Sequence, residues 1–256
     1  PADPGSTVTR VDEYREALRA LEGDWEPYLL DHSGLPGPRG NLELARAAAE
    51  LGTRRQFERW LAWDAQRAPF GSREEFLAFC GTVGLGRLAA EGDHGVLERL
   101  RALANDPRWR VREAVAIGLQ RLGAVDMSAL LRQMRPWTNG TDFERRAAAA
   151  ALCEPALLRR DRDVRSVLVI LDRITAAMAR SRDRRSDGFQ AMRKGLAYCW
   201  SVAVAASPEA GRPRMEGWLT SEDPDVRWVM KQNLAKKRLT AAGADWVEQW
   251  KAALGG

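Results

Sequence analysis

Asp106 to Leu122 reads DPRWRVREAVAIGLQRL, and a related string, DPDVRWVMKQNL, returns at Asp223 to Leu234. In each, a capping Asp stands before a Pro suited to the first helical position. Val-Arg and an apolar stripe follow. At about 100° per residue, Val111, Val115, Gly118, Leu119 and Leu122 share one face, as do Val226, Met230, Asn233 and Leu234. The Arg after the first apolar residue, Arg112 or Arg227, falls on the flank. A third copy begins at Met192-Arg193 (MRKGLAYCW) and a degenerate fourth at Glu144-Arg145 (ERRAAAAAL). Arg112, Arg145, Arg193 and Arg227 are separated by 33, 48 and 34 residues, and the longer interval contains an extra segment, Ser181 to Asp187.

Working outward, helix signals recur along the 256 residues. Ser72-Arg-Glu-Glu75 and Thr141-Asp-Phe-Glu144 read as capping boxes, and Ser207-Pro208 as a further capped start. Gly23, Gly52, Gly92, Gly123 and Gly243 sit where helices should stop. These marks predict helices near 9–22, 41–51, 53–66, 73–91, 93–105, 107–122, 126–138, 142–153, 162–180, 187–206, 208–220, 223–239 and 243–254. No window alternates with period two, so no sheet is expected. Gly81, Gly84 and Gly86 (GTVGLG) lie inside a helical pattern with no strand before them, which fits close helix packing rather than a phosphate loop.

Composition narrows the function classes. No segment approaches the roughly 18 consecutive apolar residues of a membrane helix. The start, PADPGSTVTR, has no apolar core after its charges and no initiator Met, so it reads as a trimmed or processed start of a soluble cytoplasmic chain, with residues 1–8 disordered. Cys80, Cys153 and Cys199 sit in apolar helical patterns and read as buried free thiols. Only two histidines, His32 and His94, are present, which leaves little material for a zinc site or His-based catalysis. We expect no metal and no cofactor.

The net charge of +5 is unevenly spread. Residues 1–100 carry 12 Lys+Arg against 17 Asp+Glu, and residues 101–256 carry 28 against 18. A basic half points to a polyanionic partner, although free use of Arg as a solubilising residue gives the same imbalance. The cations that begin the repeated helices are the expected nucleic-acid contacts: Arg108, Arg110 and Arg112, then Arg145 and Arg146, Arg193 and Lys194, and Arg227 with Lys231. Trp109 and Trp228, opposite the apolar stripes, would stack on unpaired bases or pack on the next helix. The alternating RRDRDVR and SRDRRSD strings read as solvated, self-paired loops.

Helix pairs at such intervals resemble HEAT repeats. Within that class, DPRWRVREAVAIGLQRL and DPDVRWVMKQNLAKKRL are similar to helices of the bacterial DNA alkylation repair family, the AlkD-like DNA glycosylases, over roughly 106–239. The resemblance implies an all-α HEAT-like helical-repeat solenoid, an ARM-like α-α superhelix, as one domain over 9–256 with divergent acidic repeats at 9–105 and basic repeats at 106–256. It also implies DNA held in a concave cationic cleft, with Trp and Asp beside the lesion in catalytic members. Trp60-Leu-Ala-Trp-Asp64 has the family's Trp-x-x-x-Asp spacing but lies in the acidic part, and Trp109-Arg-Val-Arg-Glu113 has Glu instead. The candidate catalytic carboxylates are therefore Asp64 and Glu113, with Glu144 and Asp172 also on predicted helices. The expected function is a non-enzymatic repeat module binding DNA or another nucleic acid; the alternatives are a glycosylase excising alkylated bases and a protein-interaction scaffold.

Overall fold

A computed structural model describes residues 9–21 and 23–254. The segment expected to be disordered, 1–8, lies outside the described residues. The protein is all-α: among the described residues there are fifteen α-helices, a 3-10 turn and no strand. None of these helices is long and apolar enough to cross a membrane. The chain forms two compact units, one up to Arg121 and one from Leu122 onward.

The first unit holds α1 (Arg10–Ala20), α2 (Glu26–Asp31), α3 (Leu42–Leu51), α4 (Arg54–Leu61), α5 (Glu75–Ala90), α6 (Leu97–Leu103) and the start of α7 (Trp109–Val125). Its centre is α5, which packs against α2, α3, α4 and α6 and is buried at every position from Glu75 to Gly86. The glycines make that possible. A Cβ on Gly84 would stand 2.4 Å from the Phe57 ring, and one on Gly86 would meet the Gly118 Cα at 2.1 Å, so α5 and α7 cross backbone to backbone. The GTVGLG string is thus a helix-packing surface.

The second unit contains α8 (Met127–Trp137), α9 (Asp142–Leu152), α10 (Asp161–Ala179), α11 (Asp187–Ala206), α12 (Pro208–Leu219), α13 (Pro224–Leu234), α14 (Lys237–Ala242) and α15 (Ala244–Ala253). Consecutive helices pair as α8 with α9, α10 with α11, and α12 with α13. The pairs join laterally: α10 lies between α8 and α12, and α11 between α9 and α13. The apolar stripes read from the sequence are the core, with Val226, Met230, Leu234, Met192 and Leu196 all buried. Asn233 is the polar member of its stripe and is fully buried. Its amide donates to Leu196 O (2.9 Å) and Val229 O (2.8 Å) and accepts from Ser201 N (2.7 Å), which satisfies it and locks α13 to α11.

Several local expectations need correction. Ser207 does not cap α12: its hydroxyl donates to Asp161 across 2.5 Å. Only half of the Ser72 box forms: Ser72 Oγ accepts from Glu75 N (3.3 Å), while the Glu75 carboxylate accepts from Gly71 N (2.9 Å) instead of Ser72 N, and α5 begins at Glu75. Gly123 does not stop α7; it lies within that helix against Leu130 and Leu157. The predicted 223–239 helix breaks after Leu234 and restarts at Lys237, and α2 was not anticipated. Thr141, by contrast, caps α9 through Glu144 N, Asp223 caps α13, and Gly92 takes the left-handed φ of 99° after α5. All three cysteines are free and buried, and burial pushes the Cys80 and Cys153 thiols up.

Candidate functional site

The cations at the start of α7 turn inward. Arg108 is 3% exposed and grips the Asp106 carboxylate through Nε (2.9 Å) and Nη2 (2.8 Å). Its Nη1 donates to Trp63 O (2.9 Å) and Ala68 O (3.1 Å), which fastens the turn at residues 62–68 to the foot of α7. Arg110 is equally buried. Its Nη1 meets Glu75 Oε2 at 3.2 Å and Nη2 donates to Gly37 O at 2.8 Å, anchoring the Leu35–Asn41 loop. Arg112 folds back on its own approach, donating to Asp106 O (2.5 Å) and Pro107 O (2.9 Å). Beside them Trp109 is 44% exposed and Phe70 is 62% exposed, with the Arg110 guanidinium 4.6 Å and 5.2 Å from their ring centroids. Trp109 therefore faces outward as its wheel position predicts.

In the second unit the candidate contact cations divide. Arg145 repeats the Arg112 arrangement, with Nε on Thr138 O (2.9 Å) and Nη1 on Asp142 (2.7 Å). Arg193 reaches from α11 to α13, its Nε 2.7 Å from Asp225, and lies 3.7 Å over the Trp228 ring. Trp228 is thus half-buried under a cation. Arg184, from a string expected to be a self-paired solvated loop, instead clamps Asp223 (2.6 Å) and Asp225 (2.7 Å). Burial pushes the Asp223 carboxyl up, but the hydrogen bonds from Arg184 and from Val226 N outweigh it and hold the group below its ordinary value.

A second set faces outward. Lys194 and Tyr198, four residues apart on α11, are both exposed, Tyr198 at 42%. Arg238 donates to Tyr198 Oη (2.7 Å) and stacks on the ring at 4.4 Å. Half-buried Arg146 on α9 lies against Gly195, where an added Cβ would approach its Cγ to 3.3 Å. Lys231 is exposed on α13 and Arg227 half-buried one turn earlier. Tyr198 was not among the sequence candidates, because AYCWSVAV reads as a core string. Its signal was the i, i+4 spacing from Lys194.

The carboxylates named for catalysis do not gather. Asp64 is exposed and accepts from Gln66 N and Arg67 N, each at 2.9 Å; the Arg67 amide, first among the causes, holds it below its ordinary value. Asp172 accepts from Trp218 Nε1 (2.9 Å) and pairs with Arg214. Glu113 is half-buried in α7, and Glu144 is buried at the start of α9 against Gly140. Among the described residues no group of three His, Cys, Asp or Glu is placed to hold a metal ion. Compared with known proteins, the chain matches no family model, no curated protein and no solved structure.

Proposed function

We propose that this chain is a non-enzymatic HEAT-like repeat module that binds nucleic acid, DNA foremost, on the face formed by α9, α11 and α13. The repeat reading is supported by the three helix pairs joined laterally as two rows, and by Arg112 and Arg145 each donating to a backbone carbonyl of the chain just before its helix. The single observation that carries the binding reading is Tyr198. With Arg238 on its hydroxyl and one face and Lys194 one turn away, the exposed ring offers its other face as a stacking surface surrounded by phosphate-seeking charge.

Binding of a labelled DNA strand, followed by fluorescence anisotropy, tests this. Affinity should fall steeply with salt as neutralised phosphates release counterions. Tyr198→Ala should weaken single-stranded DNA more than intact duplex, since only unpaired bases expose a stacking face. Lys194→Ala should weaken both alike. Binding that is independent of salt and of both residues contradicts the proposal. The glycosylase alternative has its own test: N3- or N7-alkylpurine DNA should release no base above background. Release that Glu113→Gln or Asp64→Asn abolishes would replace a binding module with an enzyme.

A further inference from the structure

The other row of helices in the second unit carries a feature the nucleic-acid reading does not use. Between α8 and α10 lies a cleft of about 240 Å³ lined by Ser128, Leu131, Arg132, Arg135, Arg162, Asp163 and Ser166. Between α10 and α12 lies one of about 400 Å³ with Arg165, Val169, Ile170, Arg173 and Arg214 on its walls. Both include Arg135 and Ser166, so they form one groove crossing three helices. Its volume is on the scale of peptide and small-ligand sites.

The groove is cationic beyond its own needs. Arg132 is 3.8 Å from Asp126, Arg162 is 3.6 Å from Asp163, Arg165 meets Asp161 at 2.6 Å, and Arg214 pairs with Asp172. Arg135 and Arg173 are exposed and have no side-chain partner among the described residues. All six cations are arginines, whose planar forks bind carboxylates or phosphates with two parallel hydrogen bonds. The lining is not charged throughout: half-buried Val169 and buried Ile170 line the second cleft and buried Leu131 the first, with Ser128 in the first and Ser166 in both. A phosphodiester backbone has no group to place on Val169. A peptide alternating carboxylate and aliphatic side chains satisfies charged and apolar lining together, because alternate residues of an extended chain point to opposite sides.

We propose that this groove across α8, α10 and α12 docks an acidic, apolar-interrupted peptide segment of a partner protein, its carboxylates on Arg135 and Arg173 and an aliphatic side chain on Val169. The site is separate from the Lys194–Tyr198 face and does not depend on nucleic-acid binding there. It gives the chain two faces of different chemistry.

The test uses the full chain and three fluorescein-labelled probes of about twelve units each: a peptide alternating Glu and Leu, an all-Glu peptide, and an oligothymidylate. The alternating peptide should bind most tightly. Arg135→Ala combined with Arg173→Ala should weaken it by tenfold or more, on the order of 1.4 kcal/mol. Neither residue has an ion-pair partner to orphan, so the melting temperature should hold. Val169→Asn should weaken the alternating peptide several-fold and leave the all-Glu peptide unchanged. If the oligothymidylate binds as tightly through the same two arginines, the groove is a nucleic-acid site and the proposal falls. No arginine-dependent binding of the alternating peptide, or equal binding of both peptides with no effect of Val169→Asn, also overturns it. Lys194→Ala and Tyr198→Ala leave this binding untouched, so failure here is distinct from failure of the nucleic-acid reading.

Discussion

The starts of α7 and α13 are built from the same Asp-Pro phrase, and in both the Asp clamps an arginine. The arginines come from different places. At α7 the partner is Arg108, two residues on, and it is swallowed with its carboxylate. At α13 the partner is Arg184, from the segment before α11, and the pair stays half-exposed. The motif thus preserves a task for the acid, namely to accept from the backbone N–H two residues on and hold a cation, while the base arrives from wherever the surrounding chain supplies it. A cation beside such a motif is not thereby free to meet a ligand. Around α7 the guanidiniums of Arg108 and Arg110 are spent on the fold, whereas on the α11 side Lys194 and Arg238 remain at the surface.

The sharpest way to break this contrast is to remove the buried partners. Arg108→Ala leaves Asp106 without its guanidinium and strips two carbonyls of a donor; Arg110→Ala leaves the fully buried Glu75 carboxyl without its guanidinium. Each should cost about 3–5 kcal/mol in denaturant unfolding, as when one member of a buried pair is deleted. A loss below about 1 kcal/mol would mean that these cations are not structural.

On the α13 side the effects should be smaller. Asn233→Ala removes three buried hydrogen bonds and leaves Ser201 N and two carbonyls to find new partners, which should cost about 2–3 kcal/mol. Arg184→Ala, at a half-exposed clamp, should cost less than Arg108→Ala in the same measurement, and the reverse order would invert the comparison.

The smallest expected effect is on acid stability. The Asp223 carboxyl is held below its ordinary value in the folded chain, so its contribution is present above about pH 4 and is lost as the pH falls through the lowered folded value. Melting temperature should therefore decline below about pH 4, and Arg184→Ala should make that decline shallower. An unchanged slope would show that the clamp does not set the Asp223 ionisation.

The helices were largely legible because their signals are local. Thr141, Ser186 and Asp223 cap their own first turns, and the stripes on α11 and α13 repeat at helical spacing. The misplaced start of α5 arose where a capping side chain was claimed by another group, Glu75 accepting from Gly71 N, and the Ser207 cap failed because its hydroxyl goes to Asp161, 46 residues away. The site was less legible for the same reason. Arg110 finds its carbonyl 73 residues earlier in the chain, and Arg108 reaches back 45, distances at which spacing carries no information. The groove did leave a trace: Arg162, Arg165, Val169 and Arg173 follow one another at intervals of three and four along α10, the signature of a single helix face. That trace was masked by the alternating acids of RRDRDVR.

The most direct measurement of the central claim takes melting temperature and single-stranded DNA affinity on the same two samples, Tyr198→Ala and Arg112→Ala. Tyr198 is exposed on the proposed face, while Arg112 is committed to the carbonyls of Asp106 and Pro107. The account predicts that Tyr198→Ala weakens binding about tenfold or more, the scale of one lost base-stacking contact, and leaves the melting temperature in place, and that Arg112→Ala lowers the melting temperature and leaves binding in place. The opposite pattern, with DNA affinity lost at Arg112 and unchanged at Tyr198, would contradict it.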